Sequence, residues 1–129
     1  MKPYKTEKIP EISENPGFRH TKSLGQNFLT DKKIRDTIIE AAEIEDTDLI
    51  IEIGPGMGVL TNEAAQKASK VIAIEIDKSL IPILEFTLKE YDNIQIINED
   101  ILKCDLGRII ADAGDFATIK ILGNLPYYI

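Results

Sequence analysis

The stretch "IEIGPGMGVLT", Ile51 to Thr61, sets three glycines within five positions directly after a run of β-branched residues. That junction restricts the fold more than any other feature of the chain. A strand, Leu49–Ile53, must feed a tight turn whose backbone, lacking Cβ atoms, lets a ligand approach closely, and a helix must start near Val59. Three ligand classes use such turns, and spacing separates them. A dinucleotide fingerprint, G-x-G-x-x-G, counted from Gly54 and Gly56 requires a third glycine where Val59 stands. Here the third is Gly58. A P-loop closes with Gly-Lys-Ser/Thr, so that a lysine and a hydroxyl reach phosphates and magnesium, and the chain contains no such sequence. S-adenosyl-L-methionine, which brings no phosphate, remains as the expected cofactor. The plainer alternative is a turn that only reverses the chain.

The chain has 129 residues, one domain's worth, and a chain of this size buries roughly two-thirds of its unfolded surface. Its apolar runs are far shorter than the ~18 residues a membrane span needs. The N-terminal "MKPYKTEKIPEISENPG" has no apolar core, and Glu7, Glu11 and Glu14 argue against a transit peptide, so the expected compartment is the cytoplasm. One cysteine, Cys104, and one histidine make a zinc site implausible, and Cys104 reads as a partly buried bystander. No metal is expected. The net charge of −7 is unevenly placed: residues 1–35 carry eight Lys/Arg against four Asp/Glu, and residues 36–129 seven against eighteen. The basic end is a candidate arm for a nucleic-acid backbone, or a solvated leader; the acidic remainder reads as a small-molecule domain.

Past a leader at 1–21, the domain at 22–129 alternates. "KSLGQNFLTD" is loop-like, and Thr30 or Asp31 can cap a helix carrying Ile34, Ile38, Ala41 and Ala42 on one face. Strands are expected at Leu49–Ile53, Val71–Glu75, Ile94–Asn98 and Thr118–Gly123, with helices at about Val59–Ala68, Ser79–Tyr91 and Leu106–Ala113. The runs "VIAIEI" and "IQII" suit strands buried on both faces. Such a βαβα order implies an α/β, Rossmann-like fold: a parallel sheet with helices on both faces and ligands beyond the carboxyl ends of its strands. Each strand end supplies a polar group. The first gives Glu52 and the Gly54–Gly58 loop, the second Glu75, the third Asp100 and the fourth Asn124. A carboxylate at Glu75 can accept from two ribose hydroxyls, and Asp100 or its neighbourhood can accept from an adenine amine.

"GNLPYYI", Gly123 to Ile129, ends the chain with Asn-Leu-Pro-Tyr at a strand terminus. It resembles the N/D-P-P-Y/F signature of amino-group methyltransferases. An adenine N6 lone pair is delocalised into the ring, so the amine becomes nucleophilic only when acceptors draw it toward a tetrahedral shape. Asn124 Oδ1 and the Leu125 carbonyl could be those acceptors. Pro126 would aim that carbonyl, and Tyr127 offers a face for a flipped-out base.

"KSLGQNFL", "EIGPGMGVLT", "AIEID", "NEDIL" and "GNLPYYI", in this order and at this spacing, resemble the ribosomal RNA adenine N6,N6-dimethyltransferases, the Ksg-type dimethyladenosine transferases, from about Lys22 to Ile129. The resemblance implies dimethylation of two adjacent adenosines near the 3′ end of small-subunit rRNA with S-adenosyl-L-methionine. It implies cofactor contacts at Asn27, Leu29, Gly54, Glu75, Asp100 and Asn124, with Gly56 and Gly58 completing the loop, and catalytic positions at Asn124, Leu125, Pro126 and Tyr127. A sister group, the erythromycin-resistance methylases, modifies large-subunit rRNA, and "KSLGQNFL" with the leucine of "NLPY" favours the Ksg type. A noncatalytic ribosome-assembly module on the same fold is the rival of another class. Family members run to roughly twice this length through more strands and a helical RNA-binding domain. The chain is therefore expected to be the cofactor-binding part, truncated after the fourth strand, inactive alone, and self-associating through the apolar edge Ala117–Gly123.

Overall fold

A computed structural model describes residues 32–123. Its elements are α1 (Lys32–Ala42), β1 (Asp48–Ile53), α2 (Val59–Lys67), β2 (Lys70–Ile74), a 3-10 turn (Lys78–Leu80), α3 (Ile81–Thr87), β3 (Ile94–Ile97), α4 (Leu106–Ala113) and β4 (Thr118–Gly123). The four strands form a wholly parallel sheet in the order β3-β2-β1-β4. The chain winds outward from β1 through β2 to β3, then returns to the other side of β1. That reversal makes the carboxyl ends of β1 and β4, where Ile53 is in register with both Ile74 and Gly123, the topological switch point at which such sheets take ligands.

Both sheet faces are covered. On one, Ile50 and Val71 meet Ile39 of α1 and Leu60, Ala64 and Ala65 of α2. On the other, Leu49, Ile51, Ile72 and Ile74 are packed by Leu106, Ile109, Ile110 and Ala113 of α4 together with Phe116. Alternate residues of the two central strands thus feed opposite cores, as a parallel sheet between helices requires.

Three expectations need correction. Only β1 and β2 are buried on both faces; "IQII" forms an edge strand with Gln95 exposed, because nothing pairs beyond β3 among the described residues. The helix expected over Ser79–Tyr91 is a 3-10 turn plus seven helical residues. Asp77 starts that turn by accepting from the Ser79 N–H and hydroxyl, and Pro82 sits in the first turn of α3, where its missing N–H costs nothing. The chain then leaves the helix at Leu88 so that Tyr91 can donate to Asn62 Oδ1 at 2.7 Å and Asn93 to the carbonyls of Ala65 and Ala68. In α1 the inward stripe centres on Ile39 with Ile38 beside it, and Ala41 is exposed. Of the expected face, Ile34, Ile38 and Ala42 are partly buried, while Ile39 is the buried residue the expectation omitted.

β4 pairs with β1 alone among the described residues, and its Ile119 and Ile121 are exposed in register with Leu49 and Ile51. Lys120, which could have guarded that edge with charge, is drawn inward. Its Nζ lies 2.9 Å from buried Asp48 Oδ2 and 2.6 Å from the Glu43 carbonyl. The Glu45 N–H first, and then the Lys120 ammonium, hold the Asp48 carboxyl below the usual carboxylate range. No helix among the described residues is long and apolar enough to cross a membrane.

Candidate nucleoside site at the strand ends

The glycine loop leaves β1 at Ile53 and enters α2 at Val59, and its three glycines all take left-handed backbone angles, with φ of 71° at Gly54, 61° at Gly56 and 91° at Gly58. Main-chain bonds hold it: the Gly54 N–H donates to Ile74 O at 2.9 Å and the Gly58 N–H to Pro55 O at 3.0 Å. Gly58 faces inward. A Cβ there would stand 3.0 Å from Leu84 Cδ2 and 3.2 Å from Leu88 Cδ1, so a side chain would crowd two leucines in addition to the cost of its positive φ.

Glu75, the first residue beyond β2, grips the loop. Its Oε1 accepts from the Gly56 N–H at 3.0 Å and its Oε2 from the Asp77 N–H at 2.9 Å. The side chain is almost wholly buried, and burial pushes its carboxyl above the usual range against the pull of those two N–H groups. The two carboxylate oxygens take different N–H groups, and a carboxylate has acceptor sites beyond these for a ligand's hydroxyls. Beside it Ile76 is 59% exposed, an apolar surface at the same strand end. Sequence reading passed over Ile76 because an isoleucine after a strand looks like core.

Glu52 was noted in the sequence without a role. It lies inside β1 with 1% exposure, and the Thr61 hydroxyl of α2 donates to its Oε1. Burial, followed by repulsion from Glu75, outweighs that bond and pushes the Glu52 carboxyl up to about 7. A carboxylate amid "LIIEI" was the available signal, since a strand flanked by helices on both faces has no solvated side for it.

The third strand end differs. Asp100 is half-buried and uses Oδ1 to accept from the Leu102 N–H at 2.9 Å, closing a turn; no contact joins it to the glycine loop or Glu75 among the described bonds. Asn98, which the sequence did not single out, donates from Nδ2 to the carbonyls of Glu75 and Ile76. The structure therefore brings together Gly54, Gly56, Gly58 and Glu75. Asn27, Leu29, Asn124, Leu125, Pro126 and Tyr127 lie outside the described residues. Cys104 is half-buried against the α4 core, with burial pushing its thiol up, which suits a packing role. Among the described residues no cluster of His, Cys, Asp or Glu could hold a metal ion.

A parallel sheet whose first βα turn is a glycine loop gripped by the acid ending the second strand defines a Rossmann-like domain of the methyltransferase class. Comparison with known proteins narrows the class. The family model described as ribosomal RNA adenine dimethylase matches residues 17–129, and the chain belongs to that family. It is 52% identical over 122 residues to the ribosomal RNA small subunit methyltransferase A of Alkaliphilus metalliredigens, covering 95% of this chain and 42% of that protein. The chain thus spans about two-fifths of that relative's length. Among solved structures, a dimethyladenosine transferase from Plasmodium falciparum matches with a TM-score of 0.63 and 32% identity, over 77% of this chain and 34% of that one. The 23S rRNA methyltransferase ErmE matches with a TM-score of 0.59 and 30% identity, over 75% and 48% respectively.

Proposed function

We propose that the chain is the cofactor-binding part of an S-adenosyl-L-methionine-dependent methyltransferase that dimethylates N6 of two adjacent adenosines in the 3′-terminal hairpin of small-subunit rRNA during ribosome biogenesis in the cytoplasm. The observation that carries the reading is the Glu75 carboxylate, clamped to the glycine loop at the end of β2. It fits an unphosphorylated ribose and would repel a 2′-phosphate. The exposed Ile76 beside it suits the apolar face of a purine, and no lysine closes the loop to hold phosphates. Bound there, S-adenosyl-L-methionine would supply a methyl group on a sulfonium for direct displacement. Binding and alignment then do most of the work.

The chain's own residues would do the rest. Asn124, which follows directly on Gly123 of β4, would accept from the adenine amine together with the Leu125 carbonyl, Pro126 would fix that carbonyl, and Tyr127 would stack on the base. Asn27 and Leu29 would close over the methionine end of the cofactor. Asp100 would answer the adenine amine of the cofactor. Partner and substrate are small-subunit rRNA or the immature small subunit, as the name of the Alkaliphilus relative favours. The likeness to ErmE keeps a 23S rRNA adenine N6-methyltransferase as the second reading.

Calorimetry with S-adenosyl-L-methionine tests the site. Glu75→Ala and Asp100→Ala are each expected to weaken binding by on the order of tenfold to a hundredfold, the loss of a hydrogen bond to a charged acceptor. In a protein of the relatives' full length, Asn124→Ala should depress turnover on unmodified small-subunit rRNA far more than RNA binding, while Tyr127→Phe stays active. Unchanged affinity in both acid variants, or a preference for NAD, would sink the reading. Methylation of 23S rRNA instead would select the second one.

The 129-residue polypeptide is also expected to self-associate through residues 117–129, since β4 has one strand neighbour among the described residues and exposes Ile119 and Ile121. Light scattering across a concentration series reads this. A strict monomer at high concentration would refute it.

A further inference from the structure

The carboxyl end of β2 is braced by a side chain that the cofactor reading leaves without a role. The main-chain ladder between β2 and β3 ends where the Glu75 N–H donates to Ile97 O at 2.9 Å. One residue on, Asn98 takes over with its side chain. Its Nδ2 donates to Glu75 O at 2.8 Å and to Ile76 O at 3.3 Å, so one carboxamide satisfies the two carbonyls that the ladder no longer reaches.

That side-chain rung falls on the residue whose carboxylate holds the Gly56 and Asp77 N–H groups. The carboxyl ends of three strands are thereby linked in series: the glycine loop after β1 to the Glu75 carboxylate, and the Glu75 main chain to Asn98 after β3. We propose that Asn98 is a positioning residue for the cofactor site, bracing the main chain at Glu75 and Ile76 so that the Glu75 carboxylate meets ribose hydroxyls at a fixed angle. The inference rests on the cofactor reading given above and adds to it the element that aims the ribose acceptor.

Chemistry at this position favours a neutral donor. Glu75, Asp77, Glu99 and Asp100 crowd the neighbouring sequence with carboxylates, and two carbonyl oxygens face the Asn98 amide. An aspartate of the same shape would set an acceptor and a charge against both carbonyls. Asn98 is exposed and belongs to neither core cluster, so its replacement leaves the packing intact. What it removes is the brace. A misaimed acceptor costs affinity because the ligand's hydroxyls must then order the strand end themselves.

The test is calorimetric titration of S-adenosyl-L-methionine, and separately of adenosine, into wild type, N98A, N98D, E75Q and the N98A/E75Q double variant. N98A is expected to weaken both ligands by the same factor of about ten, two neutral hydrogen bonds' worth, and N98D by at least as much. In the E75Q background N98A should add less than about twofold, because the group it aims is already impaired. A merely structural role would instead multiply undiminished through the double variant, and that result overturns the proposal. So does wild-type affinity in N98A or in the isosteric N98D, which answers the question should N98A fail to fold. Absence of binding by the wild-type protein would refute the cofactor reading, and the inference with it; binding by wild type with N98A unaffected refutes the role of Asn98 alone.

Discussion

The wild-type protein is expected to lose stability steadily as pH rises from about 4.5 to about 7, and Glu52→Gln to abolish most of that slope. The cause is the carboxyl at the centre of β1. In the unfolded chain it titrates near the ordinary glutamate value, whereas in the fold burial pushes it up to about 7, with Thr61 as its hydrogen-bond partner. Between those two values the folded state keeps a proton that the unfolded state has released. The folded state therefore binds more protons, and stability falls as pH rises. The contribution is complete below the unfolded value, declines through the window and has gone above about pH 7. A displacement of this size corresponds to about 3 kcal/mol. Glu75, also raised by burial, acts with the same sign, so the difference between wild type and E52Q isolates Glu52. Urea denaturation at half-unit steps of pH measures it. A parallel pH dependence for the two proteins would mean that Glu52 is ionised and stabilised by something other than Thr61.

Gly58→Ala is expected to cost about 3 kcal/mol, more than the same change at an ordinary turn glycine. Two penalties coincide there. With φ at 91° the backbone lies in the left-handed region, where a Cβ costs about 1–3 kcal/mol. The added methyl would also stand 3.0 Å from Leu84 Cδ2 and 3.2 Å from Leu88 Cδ1, and overpacking of a core costs about 1–3 kcal/mol. Leu84 is fully buried and has little room to retreat, although the ends of both leucines can give by a few tenths of an ångström. Against a Leu88→Ala background the added methyl should cost less, because the Leu88 contact is gone while the Leu84 contact and the backbone part remain. Chemical denaturation of the single and double variants measures the difference. A loss under about 1 kcal/mol in G58A would show that the loop relaxes to a different path.

Much of the fold was legible because its signals are local. β-branched runs ending in glycine, an acid or asparagine marked the four strands, and the glycine loop placed β1 and α2 to within a residue. That Glu75 stands against the glycine loop was legible because a parallel sheet puts the ends of its strands in one place. The helix expected across Ser79–Tyr91 failed for the converse reason. Apolar spacing says where a helix is possible, but the pull of Asn62 on Tyr91 and of two α2-side carbonyls on Asn93 decides where it stops. The same holds for "IQII", whose composition suits a central strand and whose place in the order β3-β2-β1-β4 makes it an edge.

Read alone, the sequence showed which segments are strands, that they run parallel, that a glycine turn without a P-loop lysine joins β1 to α2, and which family's motifs the chain carries. Spacing and residue type set these, and neither depends on distant contacts. Only the tertiary structure decided what the polar side chains do once assembled. It put Glu52 out of reach of water against Thr61, turned Gly58 toward two leucines, fastened the Glu75 carboxylate to Gly56, and laid Asn98 across the end of β2. Each of these pairs residues between nine and thirty positions apart, and burial and hydrogen bonding between such partners exist only after the sheet has ordered its strands.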